Sequence, residues 1–277
     1  MRLILAAVAV LSFSACRSDD DAITDPPMFD LPFSFRDGFE TTGNDVAALF
    51  PTDNSRWTTT QNVSPNGGDN ELGLDAINFR EGRQSLRILA QPADDVLSKM
   101  NIEKGGFFAP LGSTVTISAD FYVSSTGSLR DLFLIDLECC SCWDPAVPDN
   151  QCPGVRLILR GEEGYPSIER GKILGETIGQ TTLPFPRDEW VSVEWQMILQ
   201  PDGSGENRLS VNGQSVIDEA GKNLPNAEEF RALFADNGTE FTLQEPHGYE
   251  RLQIGATANA SAGVVRMNVD DFSLVVE

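Results

Sequence analysis

Two carboxylates, two arginines and a knot of cysteines are the side chains here with chemistry to do. In Leu134-Ile135-Asp136-Leu137-Glu138, strand alternation puts Asp136 and Glu138 on one face. Arg156 and Arg160 bracket Ile158 on one face of a second strand-like run, with Leu157 and Leu159 opposite. Together the four could line a polar groove for sugar hydroxyls. The competing reading is cross-strand ion pairing on a solvated face. Stacking on sugar rings needs exposed aromatics, and the loop residues Trp143 and Tyr165 are the candidates. Trp57, Trp190 and Trp195 are expected inside or at the rim. His247 is the only histidine, so a histidine-rich metal site is excluded. With Tyr249 two residues on, it could form a proton-transfer pair beside a cleft; the alternative is a solvated loop histidine.

Cys139, Cys140, Cys142 and Cys152 crowd into one segment. An even count in an exported chain suggests two disulfides. Three connectivities are open, and pairing the neighbours Cys139 and Cys140 would be strained. The rival is a four-thiolate metal site, but the spacing matches none of the usual ribbons.

The elements that must position these groups read as strands. Alternation recurs at 56–63, 84–90, 114–123, 131–138, 154–160, 190–199, 207–212, 250–258 and 264–276. Asn212-Gly213 is a tight-turn signal between 208–211 and 214–217. Residues 227–234 can form two helical turns behind Asn226 as N-cap, and 44–49 one more. Many strands and one or two short helices predict an all-β, two-sheet antiparallel sandwich over 35–277. The chain has 277 residues, enough for one such sandwich with a sizeable core. Its formal net charge of -22 argues against nucleic acid and against binding to an anionic membrane surface.

The N-terminus reads as an address. Leu3 to Phe13 is an apolar run too short to span a bilayer. It ends in Phe13-Ser14-Ala15-Cys16, which resembles a bacterial lipobox with Cys16 as the lipidated residue. Residues 1–15 are then a signal peptide, and 16–34 an acidic, proline-containing tether. Asp19-Asp20-Asp21 resembles the signal that carries lipoproteins to the outer face of the bacterial outer membrane. The expected location is that membrane, facing outward, with the lipid as the membrane contact.

Several motifs in order resemble the concanavalin A-like lectin and glucanase superfamily, whose jelly rolls include laminin G-like domains and polysaccharide lyases. They are Phe35-Arg36-Asp37-Gly38-Phe39-Glu40 before Trp57, Gly82-Arg83-Gln84-Ser85-Leu86, Trp190 to Trp195 followed by Leu209 to Gly213, and Val269 to Leu274. The resemblance implies a structural Ca2+ held by carboxylates of the first and last strands, here Asp37, Glu40 and Asp270 or Asp271. It also supplies a test for catalysis. Glucanases of this type carry three alternating acids, E-x-D-x-E, and here Leu134 stands where the first is needed. The arginine-rich strand of the lyases is absent. The sequence therefore leans toward a non-catalytic, surface-exposed module that binds a polysaccharide or another partner. The alternatives are a polysaccharide lyase or glycoside hydrolase, with His247 and Tyr249 as its weakly supported catalytic residues, and a structural or adhesive envelope protein.

Overall fold

The computed structural model describes residues 31–64, 69–92, 98–125, 127–171, 173–261 and 263–277. Cys16, the signal peptide and most of the tether lie outside these residues. Two antiparallel sheets face each other. The first runs β14(Gln214–Ala220), β13(Glu206–Val211), β12(Trp190–Ile198), β7(Thr114–Ser125), β17(Val265–Val276), β4(Ser85–Ala90), β3(Glu71–Asp75), with β1(Phe33–Asp37) also pairing β17. The second runs β11(Thr177–Gln180), β10(Tyr165–Arg170), β9(Gly154–Arg160), β8(Leu132–Glu138), β16(Arg251–Asn259), β5(Ser98–Lys104), β2(Thr59–Val63). A short pair joins β6(Ala109–Pro110) to β15(Gly248–Tyr249), and α1 spans Ala227–Asp236 behind its Asn226 cap. Val46–Leu49 forms a single 3-10 turn.

The layering follows from alternation. On β7, Val115, Ile117, Ala119, Phe121 and Val123 point inward; on β12, Val191, Val193, Trp195 and Met197 do the same. They meet Val155, Leu157 and Leu159 of β9 and Leu252, Ile254 and Ala256 of β16 across the core. Burying a large apolar side chain contributes about 1.5–3 kcal/mol, so this shared layer is the main favourable term. One corner is aromatic: Trp57 stacks on Phe39 at 5.8 Å between ring centres and meets Phe35 edge-on at 5.2 Å. The all-β, two-sheet reading matches this architecture, with one α-helix and one 3-10 turn among the described residues where one or two helices were expected.

The alternation pattern did not mark β3, β5, β10, β11 or the short pair β6 and β15. β3 is short and glycine-centred, and β5 shows only Met100 and Ile102 between polar neighbours. β5 matters most, because its outward residues complete the site described next.

Candidate functional site on the outer face of the second sheet

Register places one polar row across the second sheet. Glu169 pairs with Arg156, Arg156 with Asp136, Asp136 with Gln253, Gln253 with Glu103, and Glu103 with Thr59. Register partners in an antiparallel sheet share a face, so these side chains of β10, β9, β8, β16, β5 and β2 all point away from the core. Beside this row, Glu138 pairs with Arg251. On the other side, Phe133 pairs with Ile158 and Ser167 with Ile158. The central residues are buried, while Thr59 and Val63 on one edge strand and Thr177 and Gln180 on the other are exposed. The outer face thus carries a buried polar row, the floor of the candidate trough, between exposed edge strands.

Charge on the floor is paired. Arg156 Nε lies 3.1 Å from Asp136 Oδ1, and the guanidinium sits 4.8 Å over the Phe133 ring. Arg251 donates from Nε to Glu138 Oε2 at 2.7 Å. Arg160 grips Glu169 with two nitrogens and donates to Asp131 Oδ1 at 2.7 Å. The cross-strand ion pairing expected of these residues is therefore present. Gln253 Nε2 donates to Glu103 Oε1 at 2.8 Å and to Glu138 Oε2 at 3.2 Å, tying two carboxylates to one nitrogen. Burial pushes the Glu103 carboxyl above its ordinary range; Arg251 opposes that, and neighbouring Glu138 adds to it.

Leu134 does not stand where a third outward acid would. The register slips between Phe133 and Ile135, so Leu134 and Ile135 both enter the core and Phe133 takes the outer face. A third carboxyl comes instead from β5, on the far side of β16, as Glu103. Sequence reasoning missed Glu103, Asn101, Gln253 and Glu169. The alternation of Lys99, Asn101 and Glu103 around Met100 and Ile102 was the signal that could have found β5.

The cysteines fix one end of the trough. Cys139 pairs with Cys142 and Cys140 with Cys152, which settles the connectivity. The Glu138 carboxylate lies within 4.8 Å of both sulfurs of the second bridge, whose sulfurs are spent on each other. Glu250 Oε1 accepts from the backbone N–H of Cys140 at 2.6 Å and Ser141 at 2.8 Å, clamping this loop to the residue just before β16. Gly154 faces Glu138 across the β8–β9 ladder because a Cβ there would come within 2.2 Å of the Leu137 carbonyl.

Other expected residues lie elsewhere. Trp143 is no exposed platform: it is 6% exposed, packs edge-on against Phe234 and Phe241, and donates Nε1–H to the Val147 carbonyl. Tyr165 opens β10 opposite Arg160, half-buried on the trough face. His247 and Tyr249 do not form a cleft pair. Tyr249 is in the core, its hydroxyl donates to the Asn223 carbonyl at 2.6 Å, and burial pushes its ionisation well up. His247 sits 3.4 Å from Glu245 in the preceding loop.

Three of the four acids expected to hold Ca2+, Asp37, Glu40 and Asp270, are engaged locally. Asp37 accepts from Arg56, from Trp57 Nε1 at 2.9 Å and from the Phe39 N–H at 2.7 Å. Glu40 accepts the backbone N–H of Arg83 at 2.6 Å, and Asp270 those of Arg80 at 2.8 Å and Glu81 at 3.1 Å. Asp271 is raised by burial, then by Glu81, Asp270 and Asp120. Among the described residues, no three of these carboxylates share one ligand shell.

No protein-family model matches the chain. No curated protein matches it in sequence. Solved structures do match in shape. An endo-beta-1,4-glucuronan lyase from the fungus Trichoderma reesei aligns at TM-score 0.57 and 10% identity, over 79% of this chain and 90% of that one. The alginate lyase Aly36B aligns at TM-score 0.53 and 11% identity, over 88% and 96%. The cellulose-induced protein Cip1 aligns at TM-score 0.50 and 15% identity, over 79% and 93%. At these identities the likeness is one of fold: a β-sandwich that polysaccharide lyases also use.

Proposed function

We propose that the chain is an exported, lipid-anchored protein that acts on a polysaccharide held across the outer face of the second sheet. The observation that carries this reading is the unbroken row Glu169, Arg156, Asp136, Gln253, Glu103, flanked by Glu138 and Arg251. Six adjacent strands deliver charged and hydrogen-bonding groups to one trough, with Phe133 and Tyr165 beside them for ring contact. The fold likeness to proteins named as polysaccharide lyases supports a polysaccharide over a purely structural envelope role.

The same likeness moves turnover ahead of the non-catalytic reading. Glu103 and Glu138 suit glycoside hydrolysis. Burial raises the Glu103 carboxyl above its ordinary range, and the fraction carrying a proton would give it to the leaving glycosidic oxygen. Glu138, oriented by Arg251 and Gln253, would supply the carboxylate that attacks the anomeric carbon or activates a water. Uronate elimination is the competing chemistry, favoured by the fold likeness alone.

The test is a panel of polysaccharides scored for binding, for new reducing ends and for the ultraviolet absorbance of unsaturated products. New reducing ends, lost in Glu103→Gln while binding persists, support hydrolysis. Absorbance without dependence on Glu103 supports elimination. No binding to any polysaccharide refutes the reading.

A further inference from the structure

The described cations of the trough lie beside carboxylates, while two of its buried amide oxygens have no donor and Arg156 Nε, though 3.1 Å from Asp136 Oδ1, makes no hydrogen bond. Arg156 is paired with Asp136, Arg160 with Glu169 and Asp131, and Arg251 with Glu138. Lys99, on the same face of β5, acts on Glu103. Against them, Asn101 Oδ1 and Gln253 Oε1 are buried without a hydrogen-bond partner. Both amides are oriented by their own donors. Asn101 Nδ2 gives its proton to Gln61 Oε1 at 3.2 Å, and Gln253 Nε2 is committed to two carboxylates. Neither oxygen can be exchanged for nitrogen without losing those bonds. Asn101's register partner is Gly255, which has no side chain to answer it. Buried polar atoms are seldom left unpaired, so two on one floor call for a donor from outside the chain.

Resting on the polysaccharide reading above, we infer that this trough selects neutral glycans, recognised through hydroxyl donors to Asn101 Oδ1 and Gln253 Oε1, and rejects polyuronates. A hydroxyl brings the missing proton. A uronate carboxylate brings none, adds charge beside Glu103, Asp136 and Glu138, and finds no guanidinium without a carboxylate already on it. The chain thus shares a fold with glucuronan and alginate lyases but not a provision for a substrate carboxylate.

The test measures affinity of the full chain for mixed-linkage β-glucan, galactomannan, alginate and polyglucuronate by affinity electrophoresis. It is run at low salt and at about 1 M salt, where the net charge is screened to about 3 Å. The expected result is binding to at least one neutral glycan, at least tenfold tighter than to either polyuronate, at both salt levels. Asp136→Asn, which leaves Arg156 unpaired, and Glu138→Gln, which leaves Arg251 unpaired, are checked for a wild-type melting transition. At least one should gain tenfold on a polyuronate. Equal or tighter binding of polyuronates by the wild type overturns the selectivity and leaves the site standing. Discrimination that vanishes in high salt also overturns it, because the net charge then was the cause. Binding of no glycan removes the polysaccharide reading and this inference together.

Discussion

Replacing Gln253 by leucine keeps most of the volume and removes the amide that Glu103 and Glu138 share. Each carboxylate loses a donor, at 2.8 Å and 3.2 Å respectively, and leucine offers nothing in exchange. A hydrogen bond to a buried charged group is worth about 1.5–3 kcal/mol. Glu138 keeps Arg251 and the longer bond is the weaker, so the expected loss is about 2–4 kcal/mol at neutral pH. The loss should depend on pH. Glu103 is already raised by burial, and the Gln253 amide is one of the groups holding it down. Without that amide the folded-state value climbs further. A carboxyl raised in the folded state holds its proton where the unfolded chain has released it. Its penalty is absent below the unfolded value of about 4.3 and grows as pH rises through the folded value. The deficit of Gln253→Leu should therefore be full near about pH 7 and shrink toward about pH 4.5. Urea unfolding followed by tryptophan fluorescence reads it as a shift in midpoint at constant slope. A deficit under about 0.5 kcal/mol at neutral pH, or one identical at both pH values, would refute the shared-amide picture.

Cys152→Ser opens a bridge of sequence separation 12 and should cost about 3 kcal/mol by chemical unfolding, while intact mass of the wild type should rise by two hydrogens per bridge on reduction. Tyr249→Phe removes only the bond to the Asn223 carbonyl; it should cost about 1 kcal/mol in melting experiments and leave glycan binding and any turnover at wild-type levels. Labelled palmitate should enter the wild-type chain and not Cys16→Ala, and an unlabelled wild type would remove the anchor from the proposal.

The sandwich was legible because its long strands alternate cleanly: Val191, Val193, Trp195 and Met197 of β12 all face the core as their spacing implies. Half the trough was legible for the same reason, since Asp136, Glu138, Arg156 and Arg160 fall on their predicted faces. What failed was non-local. A bulge at Phe133 and Ile135 sends Leu134 inward, and nothing in the strand's own sequence announces it. Glu103 and Gln253 become neighbours of Glu138 through strand order, with 150 residues of chain between the first two. Trp143 read as an exposed loop aromatic, yet Phe234 and Phe241 arrive from and beyond α1 to cover it. Cysteine count gave two bridges, while the pairing needed the loop's path between β8 and β9.

The polysaccharide panel would supply an oligosaccharide, and a crystal structure with it bound tests the central claim most directly. The account places the sugar over β9, β8, β16 and β5, with hydroxyls within hydrogen-bond reach of Asn101 Oδ1 and Gln253 Oε1 and a ring edge against Phe133 or Tyr165. A sugar seated on the outer face of the first sheet, or held by loops with the trough empty, would contradict it.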